Sequence, residues 1–433
     1  DIWARTKKDS DFTYKPALAP DAVKAITKRL VEAKNPVLHA GGGILLAQAS
    51  EELAALAEFL DIPVSRTLMG QGCISDLHPL MIGQTGFWGL EHTHSYTLNA
   101  DVILGLGTRF AEADSSSWYQ GVTFDPTHTA FMQIDIDPAE IGRNYPVEIG
   151  AVADLKLALQ QILEEAKRIC PEGIKRPGLR EKIAADKAAF KASNVAISTD
   201  ERFPMTPQRI LKEVKEAIPE DAIIFTDVGW NKNGVAQQFD ITIPGTIHHS
   251  SGLATMGFGA SAVLGGKLGA PDRICLTLTG DGGFGVNPAC LATAVEQGIA
   301  CTWVVMNNFA FGTIAGLENG SYGTKFGTTF TTPDGEAYSP NFAKVAEAYG
   351  VDAIRVEKTD DFKPAMEKAV QANREGRPFL VEALMENIVV PTPGCWNIND
   401  IYRPNEYVKE GKLVVKENGK YVSPNHAKSH QAK

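Results

Sequence analysis

The sequence predicts an α/β protein with two doubly wound parallel-sheet domains. Short segments that are apolar on both faces, such as PVLHA at 36–40 and ICLTLT at 274–279, alternate with amphipathic helical segments. Strands of this kind are typical of parallel sheets, because helices cover both sides of such sheets. The charged segment 170–205, poor in large apolar side chains, interrupts the alternation. We therefore expect two domains, each built around its own sheet.

The elements follow one another in a regular order. We predict an entry linker at 1–20, a central domain at 21–169, a linker with one solvated helix at 170–205, a second domain at 206–390 and a tail at 391–433. Each domain opens with an amphipathic helix followed by a buried strand, DAVKAITKRLVEA before PVLHA and TPQRILKEVKEAI before AIIFT. In the tail, the Asn-Gly pair of KLVVKENGKYVS predicts a β-hairpin.

Composition narrows the class of protein. The chain has 433 residues and a net charge of -10, and this acidic balance argues against a nucleic-acid partner, which would require a basic surface. No uncharged apolar run reaches the length of about 18 residues that a membrane span needs, so we expect no membrane partner. The 6 cysteines form no CxxC pair, which favours buried thiols in a reducing compartment and a cytoplasmic location.

One βαβ unit carries the strongest functional pattern. The strand RICLTLTG leads to the helix NPACLATAVEQG, with Asn287 as its N-cap, Pro288 at its first position and Gly298 as its stop, and the strand ACTWVVM follows. The crossover makes the two strands parallel, so Asp281 and Asn308 are expected at the same carboxyl edge of the sheet.

The residue types at this edge predict a metal-bridged diphosphate. Asp281 offers a carboxylate and Asn308 an amide oxygen, and hard oxygen ligands suit a Mg²⁺ ion that shares its shell with phosphate. The glycines at 280, 282 and 283 allow backbone N–H groups to approach an anion, and we expect the helix from Asn287 to add its positive end.

These residues resemble the cofactor motif of thiamine-diphosphate-dependent enzymes of the acetolactate-synthase-like family. The motif is Gly-Asp-Gly at 280–282, 24 further residues, and the Asn pair at 307–308. The segments SSGLATMGFGASAVLG (250–265) and TDVGWNKNGVAQQF resemble the family's pyrimidine-binding segment and first phosphate loop. PVLHAGGG, IPVSRTLMG, LGTRF and QIDIDPAEIG resemble its central domain, so the resemblance covers about 20–165 and 205–400.

The resemblance implies a role for individual residues. Asp281, Asn308 and the Ala310 carbonyl would bind Mg²⁺, the Ala254 carbonyl would accept a bond from the cofactor's 4′-amino group, and Met256 would wedge beneath the cofactor. The cofactor-binding residues that it implies are Val228, Gly229, Trp230, Asn231, Ala254, Met256, Gly280, Asp281, Gly282, Gly283, Asn308 and Ala310.

The resemblance also implies partners and a second cofactor. In this family a glutamate on an amino-terminal pyrimidine-binding domain activates the cofactor, and we find no glutamate in this chain to replace it, so no residue here is expected to be the activating acid. The chain begins at Asp1 where that domain would end. We expect either that this domain has been removed from the chain or that it is a separate polypeptide. We also expect the protein to assemble as a homodimer or homotetramer. FAD is left open, with contacts implied at Gly41, Gly42, Gly43, Thr67, Leu68, Met69, Gly107, Arg109, Asp135 and Asp137.

Two departures leave the substrate open. Ala113 stands where acetolactate synthases carry an arginine, and Leu317 where they carry a tryptophan. The implied activity is that of a lyase, decarboxylase or carboligase acting on a 2-keto acid or a related small carbonyl substrate. The alternatives are hydrolysis of a cyclic 1,2-diketone, acetyl transfer, or a non-catalytic nucleotide-type binding protein.

Further segments carry open expectations. The segment 316–339 predicts a mobile loop over the cofactor or a plain surface loop. One histidine of the pair at 248–249 is expected either to face the site or to bond the backbone. Trp396 is expected to line the pocket or to pack in the core.

Overall fold

A computed structural model describes residues 14–387 together with 414–415 and 421–422. Within them, two six-stranded sheets are parallel throughout and are flanked by helices, which confirms the predicted fold class. The positions of the domain boundaries stay a prediction.

The first sheet has the strand order β3-β2-β1-β4-β5-β6. Its strands are β1 Pro36–Ala40, β2 Val64–Arg66, β3 Met81–Gln84, β4 Val102–Leu106, β5 Ala130–Asp135 and β6 Ile149–Val152. Its helices are α1 Pro20–Glu32, α2 Gly43–Leu46, α3 Ser50–Leu60, α4 Glu91–Leu98 and α5 Leu155–Ile169.

The order of this sheet reverses between β1 and β4, which is the point where doubly wound sheets bind nucleotides. The loops after these two strands meet there. A Cβ atom at Gly41 would lie 2.2 Å from the Gly107 carbonyl oxygen, and one at Gly43 would lie 2.7 Å from the Gly107 Cα. Only residues without a side chain allow the two loops to pack this closely.

The second sheet has the order β11-β12-β10-β9-β7-β8. Its strands are β7 Ile223–Thr226, β8 Ile247–His249, β9 Cys275–Gly280, β10 Thr302–Asn307, β11 Asp352–Val356 and β12 Phe379–Leu384. Its helices are α7 Pro207–Ala217, α8 Trp230–Gln238, α9 Phe258–Gly269, α10 Asp281–Val286, α11 Cys290–Gln297, α12 Gly312–Tyr322, α13 Phe342–Ala348 and α14 Phe362–Arg374.

Both faces of the second sheet are covered. Leu276 and Leu278 of β9 belong to one buried cluster, whereas Cys275 of the same strand packs with Trp303 and Val305 of β10 in another. A strand that buries both faces requires helices on both sides, which explains why these strands are apolar throughout.

The segment between the sheets carries the helix α6 Leu179–Ser198, within the predicted linker. It contacts both domains, because Asp186 accepts a hydrogen bond from Tyr96 at 2.9 Å and Lys191 pairs with Asp240. The domains also touch directly. The Arg66 guanidinium donates to the Ala236 carbonyl at 3.0 Å.

Two predictions about helices were wrong. Asn287 does not cap α11. That helix begins at Cys290, and its N-cap residue, Ala289, makes no side-chain hydrogen bond to the helix. The Asn287 amide group instead donates to the Ser261 hydroxyl at 2.9 Å. Proline disfavours helical geometry in the residue before it, so the chain breaks at Asn287 (φ -146°) and forms two short helices. The helix that starts at the predicted diphosphate site is therefore α10. The helical part of 316–339 was also missed, since α12 continues to Tyr322.

The predicted hairpin of the tail is present, with Val414 paired antiparallel to Val422 and Val415 to Tyr421. Cys395 and Trp396 lie outside the described residues. In the part of the chain that the structure describes, no helix combines the length and apolar character needed to cross a membrane.

Candidate active site

The carboxyl ends of β9 and β10 form one wall of a cavity of about 280 Å³. The two strands pair in parallel with Gly280 opposite Met306, which places Asp281 and Asn308 at the same edge, as the βαβ pattern predicted. Every one of the twelve residues that the family resemblance implied lines this cavity, although they come from four separate segments of the chain. Their roles stay a prediction.

Asp281 is 3% exposed and begins α10 directly after β9. Its Oδ1 accepts the Gly282 N–H at 2.8 Å, and its Oδ2 accepts the Ala310 N–H at 3.3 Å. Burial raises the pKa of this carboxyl from 3.8 to about 6, while the backbone N–H groups act in the opposite direction. Among the described residues no cationic side chain acts on this carboxylate, which leaves it available to a metal ion.

The two adjacent asparagines have different surroundings. Asn307 donates to the buried Glu382 at 2.8 Å, and that carboxylate also pairs with Arg355 at 2.9 Å, so Asn307 belongs to the sheet interior. Asn308 lines the cavity and donates its amide group to the Asn387 carbonyl at 3.3 Å. Its amide oxygen makes no hydrogen bond among the described residues and is left to accept or to ligate.

The chain turns sharply between Asn308 and Ala310. Phe309 lies at φ 58°, a left-handed conformation that is strained for a bulky residue and that clusters at functional sites. The segment 323–338 holds this turn in place, since Ala310 forms an antiparallel bridge with Thr329 and the Phe330 N–H donates to the Phe309 carbonyl at 2.8 Å. This part of the predicted mobile loop is therefore hydrogen-bonded to the site.

Glycines form the floor of the cavity. A Cβ atom at Gly282 would lie 2.7 Å from the Phe311 ring, and one at Gly283 would lie 2.8 Å from Oδ1 of Asp227. Gly229 has φ 111° and ψ -150°, a conformation open essentially to glycine alone. Glycine is therefore required at 282 and 283 by close packing and at 229 by its backbone conformation.

The first turn of α8 supplies further polar groups. Asn231 donates to the Val228 carbonyl at 3.2 Å, while its own buried amide oxygen has no hydrogen-bond partner in the part of the chain that the structure describes. Within the same residues, the buried hydroxyl of Thr313, in the first turn of α12, is also without a partner. Both side chains line the cavity beside Trp230. Both groups are therefore available to bond a polar ligand in the cavity.

The opposite wall holds Ala254 and Met256. Ala254 has φ 48°, the second strained non-glycine position at this cavity. The Met256 Cε would lie 3.1 Å from a Cβ atom at Gly282, so the thioether reaches across the cavity towards the glycine floor.

Sequence reasoning missed four residues at or near the site. Asp227 is fully buried and accepts the N–H groups of Val228, Gly257 and Gly259 at 2.8, 3.1 and 2.9 Å. It directly follows β7, and that position was a signal of the kind used for Asp281. Lys232 lines the cavity from α8, as do Phe87 and Trp88 from the first domain. No local pattern marks the two aromatic residues.

The two departures from the synthase pattern also lie close to the cavity. Leu317 lines it, and the Ala113 carbonyl accepts the Phe87 N–H at 2.8 Å. The backbone of Ala113 thus helps to hold Phe87 in place.

The histidine pair has no side chain in the cavity lining. His249 is buried between Thr226 at 2.9 Å and Gln71 at 2.8 Å, and burial holds its pKa well below 6.5. His248 stacks on the Phe225 ring with centroids 5.0 Å apart. His249 therefore joins the two domains through a neutral hydrogen-bond chain.

The residues implied for FAD lie at the carboxyl edge of the first sheet. Gly41, Gly42 and Gly43 follow β1, Gly107 and Arg109 follow β4, and Asp135 ends β5. The Thr67 hydroxyl accepts the Gly70 N–H at 3.1 Å, and the Asp137 carboxylate accepts the Ala139 N–H at 2.9 Å. Leu68 is buried and Met69 is exposed, so this edge offers both polar and apolar contacts.

Another cleft, of about 460 Å³, lies between the first domain, α6 and α7. It contains none of the twelve implied residues, and two of its four lysines, Lys191 and Lys212, are paired with Asp240 and Glu216. Its size therefore does not make it the better candidate.

Comparison with known proteins identifies the family. Residues 23–162 match the central domain of thiamine pyrophosphate enzymes, and residues 227–383 match their C-terminal TPP binding domain. The chain belongs to the thiamine pyrophosphate enzyme family. This confirms the resemblance inferred from the motifs.

Curated relatives cover most of the chain. It is 33% identical over 404 residues to a probable acetolactate synthase large subunit of Methanococcus aeolicus, which covers 90% of this chain and 65% of that protein. It is 35% identical to a probable acetolactate synthase large subunit of Methanocaldococcus jannaschii (86% and 61%) and 30% identical to a glyoxylate carboligase of Escherichia coli O157:H7 (87% and 63%). The chain thus spans less than two thirds of the length of these relatives.

Proposed function

We propose that this chain binds thiamine diphosphate through a Mg²⁺ ion and is the cofactor-holding part of an enzyme that makes or breaks a C–C bond beside a carbonyl group. The observation that carries the proposal is the convergence of Asp281, Asn308 and Ala310 on one cavity whose floor is glycine. A match to a domain described as TPP binding over the same residues supports it.

The residues present fit the diphosphate end of this cofactor. Asp281, the Asn308 amide oxygen and the Ala310 carbonyl are hard oxygen ligands, which Mg²⁺ prefers when it also binds phosphate. The Gly283 N–H group and the Thr313 hydroxyl, which has no partner among the described residues, are donors for phosphate oxygens. The Asn231 amide oxygen, which has no partner among the described residues, is an acceptor for a donor group of the cofactor or of a water molecule bound with it.

The residues present also fit the two rings of the cofactor. Thiamine diphosphate, when bound, supplies a carbon atom that attacks a carbonyl group and accepts the electron pair released from the broken bond. Ala254 lines the cavity, and its carbonyl would accept a hydrogen bond from the amino group of the pyrimidine. Met256 would provide a bulky, adaptable surface beneath the cofactor.

The substrate we propose is a small 2-oxo acid or a related carbonyl compound. Phe87, Trp88 and Leu317 give the cavity an apolar wall, which excludes water from the reacting bond. Relatives named acetolactate synthase and glyoxylate carboligase favour carboligation over the alternative of diketone hydrolysis.

The remaining partners are part of the same proposal. We propose that an acid from an amino-terminal pyrimidine-binding domain completes the site, and that the enzyme is a cytoplasmic homodimer or homotetramer. Binding of FAD at the edge formed by β1 and β4 is a separate question. It is tested by denaturing the purified chain with heat and measuring flavin fluorescence in the supernatant.

Calorimetric titration tests the central proposal. Thiamine diphosphate should bind the chain in Mg²⁺ and lose most of its affinity in EDTA, whereas thiamine, which lacks the diphosphate, should bind weakly in both. Equal affinity for the two compounds would refute the metal-bridged diphosphate. Mg²⁺-dependent binding without turnover of any 2-oxo acid by the complete assembly would favour the non-catalytic alternative.

A further inference from the structure

Lys232 is a buried cation at the candidate active site that the cofactor roles above leave unused. It lies on α8, one residue after Asn231, and it is 7% exposed. It lines the cavity, and among the described lining residues it is the only lysine or arginine.

Its ammonium group is poorly satisfied by the protein. Nζ donates to the Ser250 carbonyl at 3.3 Å and forms no ion pair within 4.0 Å among residues 14–387. An ammonium group has three donors, so two of them are left for a ligand or for water.

The neighbouring carboxylates are already engaged. Asp114 and Asp227 are near enough to raise the pKa of Lys232, but burial outweighs them and lowers it. Asp227 accepts three backbone N–H groups, and Asp114 accepts the Leu68 N–H at 3.0 Å. A buried ammonium group without a paired anion is costly, and an anionic ligand would remove that cost.

We propose that the Lys232 ammonium group binds the carboxylate of the acceptor, so that the substrate receiving the new C–C bond is a small 2-oxo acid. This inference rests on the proposed function. We assign Lys232 to the acceptor because the acceptor keeps its carboxylate in the product. A lysine paired with a carboxylate that must leave as CO₂ would stabilise the ground state and slow its loss.

The apolar wall completes this assignment. Phe87 and Trp88 line the same cavity and contact each other edge to face, with ring centroids 5.7 Å apart. A 2-oxo acid presents an anionic end to Lys232 and a short apolar chain to these rings.

The test measures acceptor binding without turnover. The full chain is loaded with Mg²⁺ and the thiazolone analogue of thiamine diphosphate, in which an oxygen atom on the reactive carbon prevents attack on a carbonyl group. Pyruvate and its neutral counterpart butane-2,3-dione are then titrated into wild type, Lys232→Met and Lys232→Arg. The Met variant keeps the length of the side chain without its charge, and the Arg variant keeps the charge.

Wild type should bind pyruvate at least about tenfold more tightly than butane-2,3-dione, because a hydrogen bond to a charged group contributes that much or more. Lys232→Met should lose this preference and leave the affinity for butane-2,3-dione unchanged. Lys232→Arg should keep most of it.

Three results would overturn the inference, and each points to a different fault. Equal binding of the two acceptors by wild type excludes an anion site, even if Lys232→Met does not fold. Unchanged pyruvate affinity in a folded Lys232→Met variant excludes this lysine while the proposed function stands. Failure of wild type to bind the cofactor analogue removes the proposed function and the inference together.

Discussion

The backbone N–H of Ala310 donates a hydrogen bond to Oδ2 of Asp281, 29 positions earlier in the chain. This contact joins the turn after β10 to the start of α10. It fixes the Asp281 carboxylate beside the backbone of Ala310, so two of the three residues proposed as metal ligands are held together before any ion binds. Preorganisation of this kind lowers the cost of binding.

Replacing Asp281 with asparagine should weaken cofactor binding without unfolding the protein. The amide keeps the size of the side chain and an oxygen ligand, but it removes the charge that balances Mg²⁺. We expect the affinity for thiamine diphosphate in Mg²⁺ to fall about tenfold to about 100-fold, as for loss of a charged interaction. Calorimetry measures it, and circular dichroism checks the fold.

The matched control for this variant is Asp360→Asn, an exposed aspartate outside the cavity lining. It makes the same chemical change and should bind as wild type does. Equal affinity of Asp281→Asn and wild type would rule out Asp281 as a ligand.

Metal binding should depend on pH through the same carboxyl. Its pKa is raised to about 6 by burial, so in the metal-free chain Asp281 is largely protonated below that pH. A metal ion must displace this proton, so the apparent Mg²⁺ affinity should fall about tenfold per pH unit below about pH 6 and level off above it. Titration of Mg²⁺ at several pH values measures the slope.

Asp281→Asn serves as the control, because its amide does not titrate. It should show weak Mg²⁺ binding with little slope in this range. A wild-type affinity that stays constant from about pH 5 to about pH 8 would contradict the pKa assignment.

Two glycines of the same helix should respond in opposite ways to alanine. A Cβ atom at Gly283 would press on Asp227 and on Thr279 Oγ1, at 2.8 and 2.9 Å. Asp227 is fully buried, so we expect Gly283→Ala to destabilise the protein by about 1–3 kcal/mol and to impair cofactor binding. Gly285 has open space around it, and Gly285→Ala should be neutral or stabilising by up to about 1 kcal/mol.

Chemical denaturation of the two variants in parallel provides the measurement. Because both residues lie in α10, helix propensity affects them alike, and the difference reports the contact with Asp227. Equal stability of the two variants would mean that the floor of the cavity adjusts freely.

The sequence supported the parts of this site that depend on local pattern and topology. Strands apolar on both faces predicted the sheets, and one βαβ crossover was enough to bring Asp281 and Asn308 to a common edge. The break at Asn287 was missed because the preference of Pro288 for a first helical position was given more weight than its effect on the residue before it. Phe87 and Trp88 reach the cavity from the other domain, and no pattern within their own segment shows which surface they face.

Acidification should destabilise the first domain through His39, a fully buried residue of β1. Its ring stacks on Phe110 with centroids 5.3 Å apart and its Nδ1 lies 2.9 Å from the Ser65 hydroxyl, while burial lowers its pKa from 6.5 to about 3. Between these two values the unfolded chain binds a proton that the folded chain does not, so the contribution of this histidine to stability is present above about pH 6.5 and is lost as the pH falls. The loss should reach about 3 kcal/mol at about pH 4.

Denaturation of wild type and His39→Gln at several pH values isolates the effect, because the packing cost of the substitution is the same at every pH. The variant should show a shallower fall in stability over this range, and parallel curves for the two proteins would show that His39 is not held neutral by the fold.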